Sequence, residues 1–124
     1  MHRTLQPIDA STEGLVELAK DATAPEGLLF HHANEGRPLA TPWQIAALRA
    51  QMVSQHELPP GYVLDCACGS GIQLAAYGAA LQRPLLGVEL APERAQASAI
   101  NVRTVAHHTP VSYTHLTLPT ILLV

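Results

Sequence analysis

Residues 63 to 71 read Val-Leu-Asp-Cys-Ala-Cys-Gly-Ser-Gly, and an apolar run from Ile72 to Leu81 follows them. No other stretch constrains the chain as much. Val63 and Leu64 predict a short buried strand, the glycines a tight turn, and the apolar run a helix. Glycine lets the turn approach a ligand closely, while the new helix offers free N–H groups and a positive dipole end. Asp65 stands where the strand stops. A second predicted strand, residues 84 to 88, ends in Glu89, 24 residues beyond Asp65. An acidic side chain at that place commonly takes the ribose hydroxyls of a bound nucleoside. The plainer reading is two surface carboxylates at strand ends. Both lie at the C-terminal ends of consecutive strands with the turn between them, where open α/β sheets bind ligands, and this favours half of a nucleotide-type pocket.

The flanking sequence completes an α/β pattern. Ser11 predicts the cap of a short helix over residues 12 to about 22, with Glu13 in its first turn and Leu15, Val16 and Leu18 supplying apolar contacts. Leu28, Leu29 and Phe30 form a brief apolar anchor, and residues 31 to 38 predict a loop. Thr41-Pro42-Trp43-Gln44 predicts a helix start, with Thr41 as cap, Pro42 at the first helical position and Gln44 completing a capping box. That helix runs to about His56 and turns Ile45, Leu48, Met52 and Val53 to one face. The helix after the glycine turn is apolar on every side and expects cover on more than one face. After Glu89, Pro92 and Glu93 open a last helix to about Ala106, with Ala95, Ala99, Val102 and Ala106 inward. Ala91 holds the position of a capping Asp or Asn, a loss of about 1 kcal/mol. Strand, helix, strand, helix is the pattern of a parallel sheet.

Asp65-x-Ala67-x-Gly69-x-Gly71 with Glu89 resembles the first two motifs of class I methyltransferases that use S-adenosylmethionine. The turn does not spell the G-x-G-x-x-G of NAD-binding proteins. Its form looks most like the branch that modifies bases in RNA or DNA, where alanine is also tolerated at the position of Ala67. The resemblance covers residues 38 to 106. It implies a partial Rossmann-like, doubly wound methyltransferase fold (the first two parallel strands and their helices) preceded by helices. It implies that Gly69 and Gly71, with Ala67 and Ser70 in the same turn, line the amino-acid end of the cofactor. Asp65 would lie near its ammonium, and Glu89 would hold the ribose. Thr41 and Pro42, 23 residues before Asp65 counted from the proline, resemble a flanking motif of adenine amino-methyltransferases that closes over the methionine end. Ordinary capping explains them as well.

Charge and composition test that reading at the edges. Seven Lys and Arg stand against ten Asp and Glu, a net charge of −3, which gives phosphate binding no support. No stretch is long and apolar enough to span a membrane, and no basic-then-apolar leader opens the chain. Cys66 and Cys68, one residue apart, are poor disulfide partners and fit a reducing compartment, so the expected location is cytoplasmic. As zinc ligands they would need His31-His32 or His107-His108, and Cys-x-Cys in a tight turn is awkward; no metal is predicted. Trp43, Tyr62 and Tyr77 could stack a base, but their contexts favour packing.

The C-terminal stretch departs from the rest. Residues 111 to 120, Val-Ser-Tyr-Thr-His-Leu-Thr-Leu-Pro-Thr, are what GTC TCT TAT ACA CAT CTG ACG CTG CCG ACG encodes. That string looks like a transposon-end adapter used in preparing sequencing libraries, so residues 111 to 124 are expected to be non-native. The alternative is a genuine apolar strand at the end. Residues 1 to 60 then form a helical lead-in and 61 to 110 the first half of the methyltransferase domain. The expected parent transfers a methyl group to a base in RNA or DNA through a further C-terminal part. The alternatives are a small-molecule methyltransferase or a non-catalytic cofactor-binding module. In the base-modifying branch the groups that orient the base come from an Asn- or Asp-Pro-Pro-aromatic turn after a fourth strand, which this stretch lacks. Catalytic residues are therefore unassigned, and the chain alone is expected to be poorly soluble and inactive in methyl transfer. Its apolar end is expected to pair with an open sheet edge.

Overall fold

The computed structural model describes residues 5–7, 16–17, 28–33, 40–108 and 120–123. Its elements are β1 (Leu5–Pro7), β2 (Val16–Glu17), β3 (His31–His32), α1 (Trp43–Ser54), β4 (Val63–Asp65), α2 (Ile72–Leu81), β5 (Leu85–Glu89), α3 (Pro92–His108) and β6 (Thr120–Leu123). The architecture is mixed α/β. A four-stranded sheet has the order β1-β6-β5-β4, with β4, β5 and β6 parallel and β1 antiparallel to β6. β2 and β3 form a separate antiparallel pair. Among the described residues no helix is long and apolar enough to cross a membrane.

The glycine-centred unit forms as its residue types dictate. β4 leads through the turn into α2, and β5 returns beside β4 in parallel, with Val63 opposite Leu85 and Leu64 opposite Leu86. Parallel neighbours need a crossover, and α2 supplies it. Leu85, Gly87 and Glu89 are buried on the face toward α2 and α3, whereas Leu86 and Val88 are half-buried on the other. α2 is sandwiched between α1 and α3, which explains apolar residues all round: Ile72, Leu74, Ala75 and Ala76 are all buried. Phe30, fully buried, joins this core and meets Trp43 with ring centroids 6.0 Å apart, so Leu28 and Phe30 anchor the segment before α1, whereas Leu29 is exposed.

Several local expectations give way to tertiary packing. Val16 and Glu17, placed above in a helix over residues 12 to 22, are a strand paired with His32 and His31; the other residues of that span lie outside those described. His31 and His32 are correspondingly strand rather than loop, and residues 34–38 of that predicted loop are outside the description. The cause is a partner 70 residues away, Asn101, whose amide bonds both backbone groups of His31. Local periodicity cannot register such a contact.

The start of α1 is also simpler than a capping box. Pro42 is the N-cap residue, Trp43 the first helical residue, and no side chain caps the helix. Most of the face expected inward is outward: Leu48 is 55 % and Met52 61 % exposed, Ile45 is exposed too, and only Val53 of the four is half-buried. Ala46 and Ala50 are buried instead. Alanines spaced i, i+4 allow α1 to lie close on α2, where longer side chains would hold the two helices apart.

Leu64 differs from expectation as well. It is 56 % exposed because β4 is an edge strand and its outer face has no helix over it among the described residues. β6 lies within the tail read as adapter-derived, and it pairs Gly87 with Thr120 and Glu89 with Leu122 along the free edge of β5. Backbone pairing at an open edge asks only for an extended segment, so this strand is the edge pairing expected of an apolar end. Residues 109–119 are outside the description.

Candidate cofactor-binding site

Asp65 and Glu89 end adjacent parallel strands, and the turn from Cys66 to Gly71 rises between them. Each carboxylate is already engaged with backbone. Asp65 Oδ1 accepts the Ala67 N–H at 3.1 Å, a local turn contact that leaves Ala67 exposed above the strand end. Glu89 Oε1 accepts the Gly69 N–H at 3.2 Å, and Oε2 accepts the Ala91 N–H at 2.9 Å. The second bond serves the start of α3, where Ala91 has no capping side chain of its own. A carboxylate offers about four lone-pair positions, so Glu89 retains acceptor capacity beyond these two amides. Its burial, 7 % exposed, places that capacity in a low-dielectric setting.

The turn itself is tightly specified. Cys68 N–H donates to Val88 O at 3.1 Å, Gly71 N–H donates to Cys68 O at 2.8 Å, and Ala75 N–H continues into α2 by donating to Gly71 O at 2.8 Å. Gly69 and Gly71 are left-handed, with φ of 55° and 77°. At Gly71 a methyl group would also sit 2.8 Å from Ser98 Cα, so glycine is required there twice over, by conformation and by the approach of α3. Gly71 caps α2 without a side-chain hydrogen bond and no acidic residue lies in the first turn. No side chain of α2's own cap or first turn answers the positive dipole end of that helix.

Around this turn lies a buried polar layer that the sequence patterns did not reveal. Ser70 Oγ and His32 Nδ1 are hydrogen-bonded at 3.1 Å. Ser98 Oγ donates to Cys68 Sγ at 3.3 Å. Asn101, fully buried, donates to Ser70 O and to His31 O and accepts the His31 N–H, each at 2.8 Å. The one available signal was the pair Ser98 and Asn101, polar residues three apart and hence on one helical face beside Ala95 and Val102. Burial pushes the Cys68 thiol up to about 11, the Ser98 hydrogen bond opposes this, and the nearby Asp65 and Glu89 charges add to it. Cys68 is thus a neutral packing group at physiological pH, while Cys66 is exposed and free. Among the described residues no three His, Cys, Asp or Glu side chains cluster as metal ligands.

Thr41 and Pro42 immediately precede the first helical residue of α1, Trp43. α1 and α2 run in the same direction, since Gln73 Nε2 donates to Ala46 O at 3.0 Å near their starts, and Val53 lines one cavity with Tyr77 and Leu81 near their ends. The N-terminal end of α1 therefore lies on the glycine-turn side, with Thr41 half-buried and Pro42 exposed. A cavity of about 360 Å³ lies at the opposite end of β4, between Val53, Pro59, Tyr62, Tyr77, Leu81 and Arg83. The Arg83 guanidinium there donates to the carbonyls of Leu58 and Pro59. Neither carboxylate lines it, so it is not part of this site. Tyr62 and Tyr77 line that gap, and the Trp43 ring packs tilted against Phe30 with centroids 6.0 Å apart.

No protein-family model, curated protein or solved structure matches the chain.

Proposed function

We propose that the chain is the cofactor-binding part of an S-adenosylmethionine-dependent methyltransferase whose parent methylates a base in RNA or DNA. The observation that carries this reading is the placement of Asp65 and Glu89 at the ends of adjacent parallel strands, with the left-handed glycine turn and the uncapped start of α2 between them. The residues suit the cofactor's chemistry. Glu89 supplies acceptors for ribose hydroxyls, Asp65 supplies negative charge for an ammonium, and the α2 amides suit a carboxylate. When bound, the cofactor's sulfonium supplies an already activated methyl group. The protein's part is to bind, orient and exclude water. Gly69 and Gly71 permit close approach of the backbone, and the Glu89 bond to Gly69 holds the turn to the ribose-side strand.

The net charge of −3 favours a second reading, a methyltransferase for a small metabolite, because a nucleic-acid substrate wants a basic surface. The native gene sequence beyond the codon for Pro110 separates the two. An Asn- or Asp-Pro-Pro-aromatic motif after two further strand–helix units means base methylation, and continuation without it means a small-molecule substrate. Cofactor binding is tested directly by equilibrium dialysis of S-adenosylmethionine against the 124-residue chain. Saturable binding that weakens at least tenfold in Glu89→Gln supports the reading, and a folded wild-type chain that binds none refutes it.

A further inference from the structure

We propose that Asn101 is the positioning residue of this site: it fixes the Ser70–Gly71 peptide group and thereby the shape in which the glycine turn meets its ligand. For its effect on affinity the inference rests on the cofactor reading above; for its structural content it does not.

Ser70 O and Gly71 N–H belong to one planar peptide unit, so holding both fixes its rotation. Asn101 Nδ2 donates to the oxygen at 2.8 Å, and the N–H donates to Cys68 O at 2.8 Å. That plane sets the left-handed Gly71 and hence the direction in which α2 begins. The same Asn101 side chain pairs with both backbone groups of His31, as a neighbouring strand would, and the His32 ring on β3 bonds the Ser70 hydroxyl. Ser70 is therefore gripped from α3 through its carbonyl and from β3 through its hydroxyl. Asn101 uses one acceptor and both amide protons and has no exposed surface, so its carboxamide cannot rotate without breaking three bonds. A buried network satisfied in this way specifies one geometry. Asn101 itself lies behind the turn, on its α3 side, so it acts through Ser70 rather than on a ligand.

The test is Asn101→Asp, which keeps the shape and the acceptor for His31 N–H but removes both donated bonds. The first measurement is amide hydrogen exchange without ligand. Exchange at Gly71 is expected to quicken at least tenfold while Leu86, in the middle of β5, keeps its protection. The second is S-adenosylmethionine affinity, expected to weaken at least tenfold relative to Val102→Ala, a buried neighbour on α3 that lines a small gap with Ala75 and Leu85. Unchanged Gly71 exchange in the folded variant overturns the proposal, as does equal quickening at Gly71 and Leu86, which marks a merely structural role. Quickened Gly71 exchange in a chain whose wild type binds no cofactor keeps the positioning role and refutes the cofactor reading. Should the variant not fold, wild-type exchange decides: His31 and Gly71 opening together supports the clamp, and independent opening overturns it.

Discussion

Glu89 Oε1 accepts the Gly69 N–H at 3.2 Å, tying the end of one strand to the turn that follows its neighbour, twenty residues earlier in the chain. The other oxygen of the same carboxylate holds the Ala91 N–H. One side chain therefore organises both loops at this end of the sheet. Replacing Glu89 by Ala leaves two amides without this acceptor, and each such loss costs about 1–3 kcal/mol when the donor stays buried. Glu89→Ala is expected to lower unfolding free energy by about 2 kcal/mol or more in urea titration, with Glu89→Gln clearly milder. Equal stability of Glu89→Ala and wild type would remove this organising role.

Gly69 and Gly71 separate conformational strain from crowding. Both have left-handed backbone, but a side chain at Gly69 meets nothing within 4 Å, whereas one at Gly71 meets Ser98. Gly69→Ala should therefore cost only the strain, about 1–2 kcal/mol. Gly71→Ala adds overpacking against α3, about another 1–3 kcal/mol. Chemical denaturation of the two variants side by side should show the larger loss at Gly71; the reverse order would contradict the close approach of α3.

The two cysteines should behave oppositely. An alkylating reagent at pH 8 is expected to label exposed Cys66 in the folded chain and to reach Cys68 only on unfolding, read by mass spectrometry of the digested protein. The thiol pKa of Cys68 is raised by folding from 9.0 to about 11, chiefly by burial. Its contribution to stability is accordingly intact below pH 9 and declines as pH climbs toward 11, by about 1 kcal/mol per pH unit across that window. Cys68→Ser is expected to flatten this decline.

On α1, Ala46 and Ala50 lie against α2 while Leu48 and Met52 face solvent. Ala50→Leu is expected to cost about 1–3 kcal/mol by overpacking the helix contact. Leu48→Gln is expected to change stability by less than about 0.5 kcal/mol and to raise solubility, checked by denaturant titration and by the concentration at which the protein precipitates. A large stability loss from Leu48→Gln would mean that this face is covered.

Thr41→Ala discriminates capping from its absence. A working N-cap is worth about 1 kcal/mol, but no side chain caps α1. The substitution is expected to shift unfolding free energy by less than about 0.5 kcal/mol, and a full loss of about 1 kcal/mol would restore the cap.

The legible parts of this fold were those set by neighbours in sequence. Residues 63 to 71 followed by a largely apolar run of ten residues could become strand, turn and helix in that order, because glycine spacing and hydrophobic continuity act over a few bonds. Pro84 and Glu89 bracketed β5 in the same way, and Pro92 opened α3. What could not be read was which side of a helix lies inward. On α1 the larger apolar residues promised more burial, yet the closeness of α2 selected Ala46 and Ala50, a choice that depends on the partner helix and not on α1's own periodicity.

The site divides along the same line. Asp65, Gly69, Gly71 and Glu89 were visible in the sequence because strand ends and left-handed turns constrain residue type locally. Ser98 and Asn101, the strand character of His31 and His32, and the edge position of β4 were decided only in three dimensions. They depend on hydrogen bonds between residues 30 to 70 positions apart and on which backbone edges find partners, and folding creates those juxtapositions while sequence spacing does not record them.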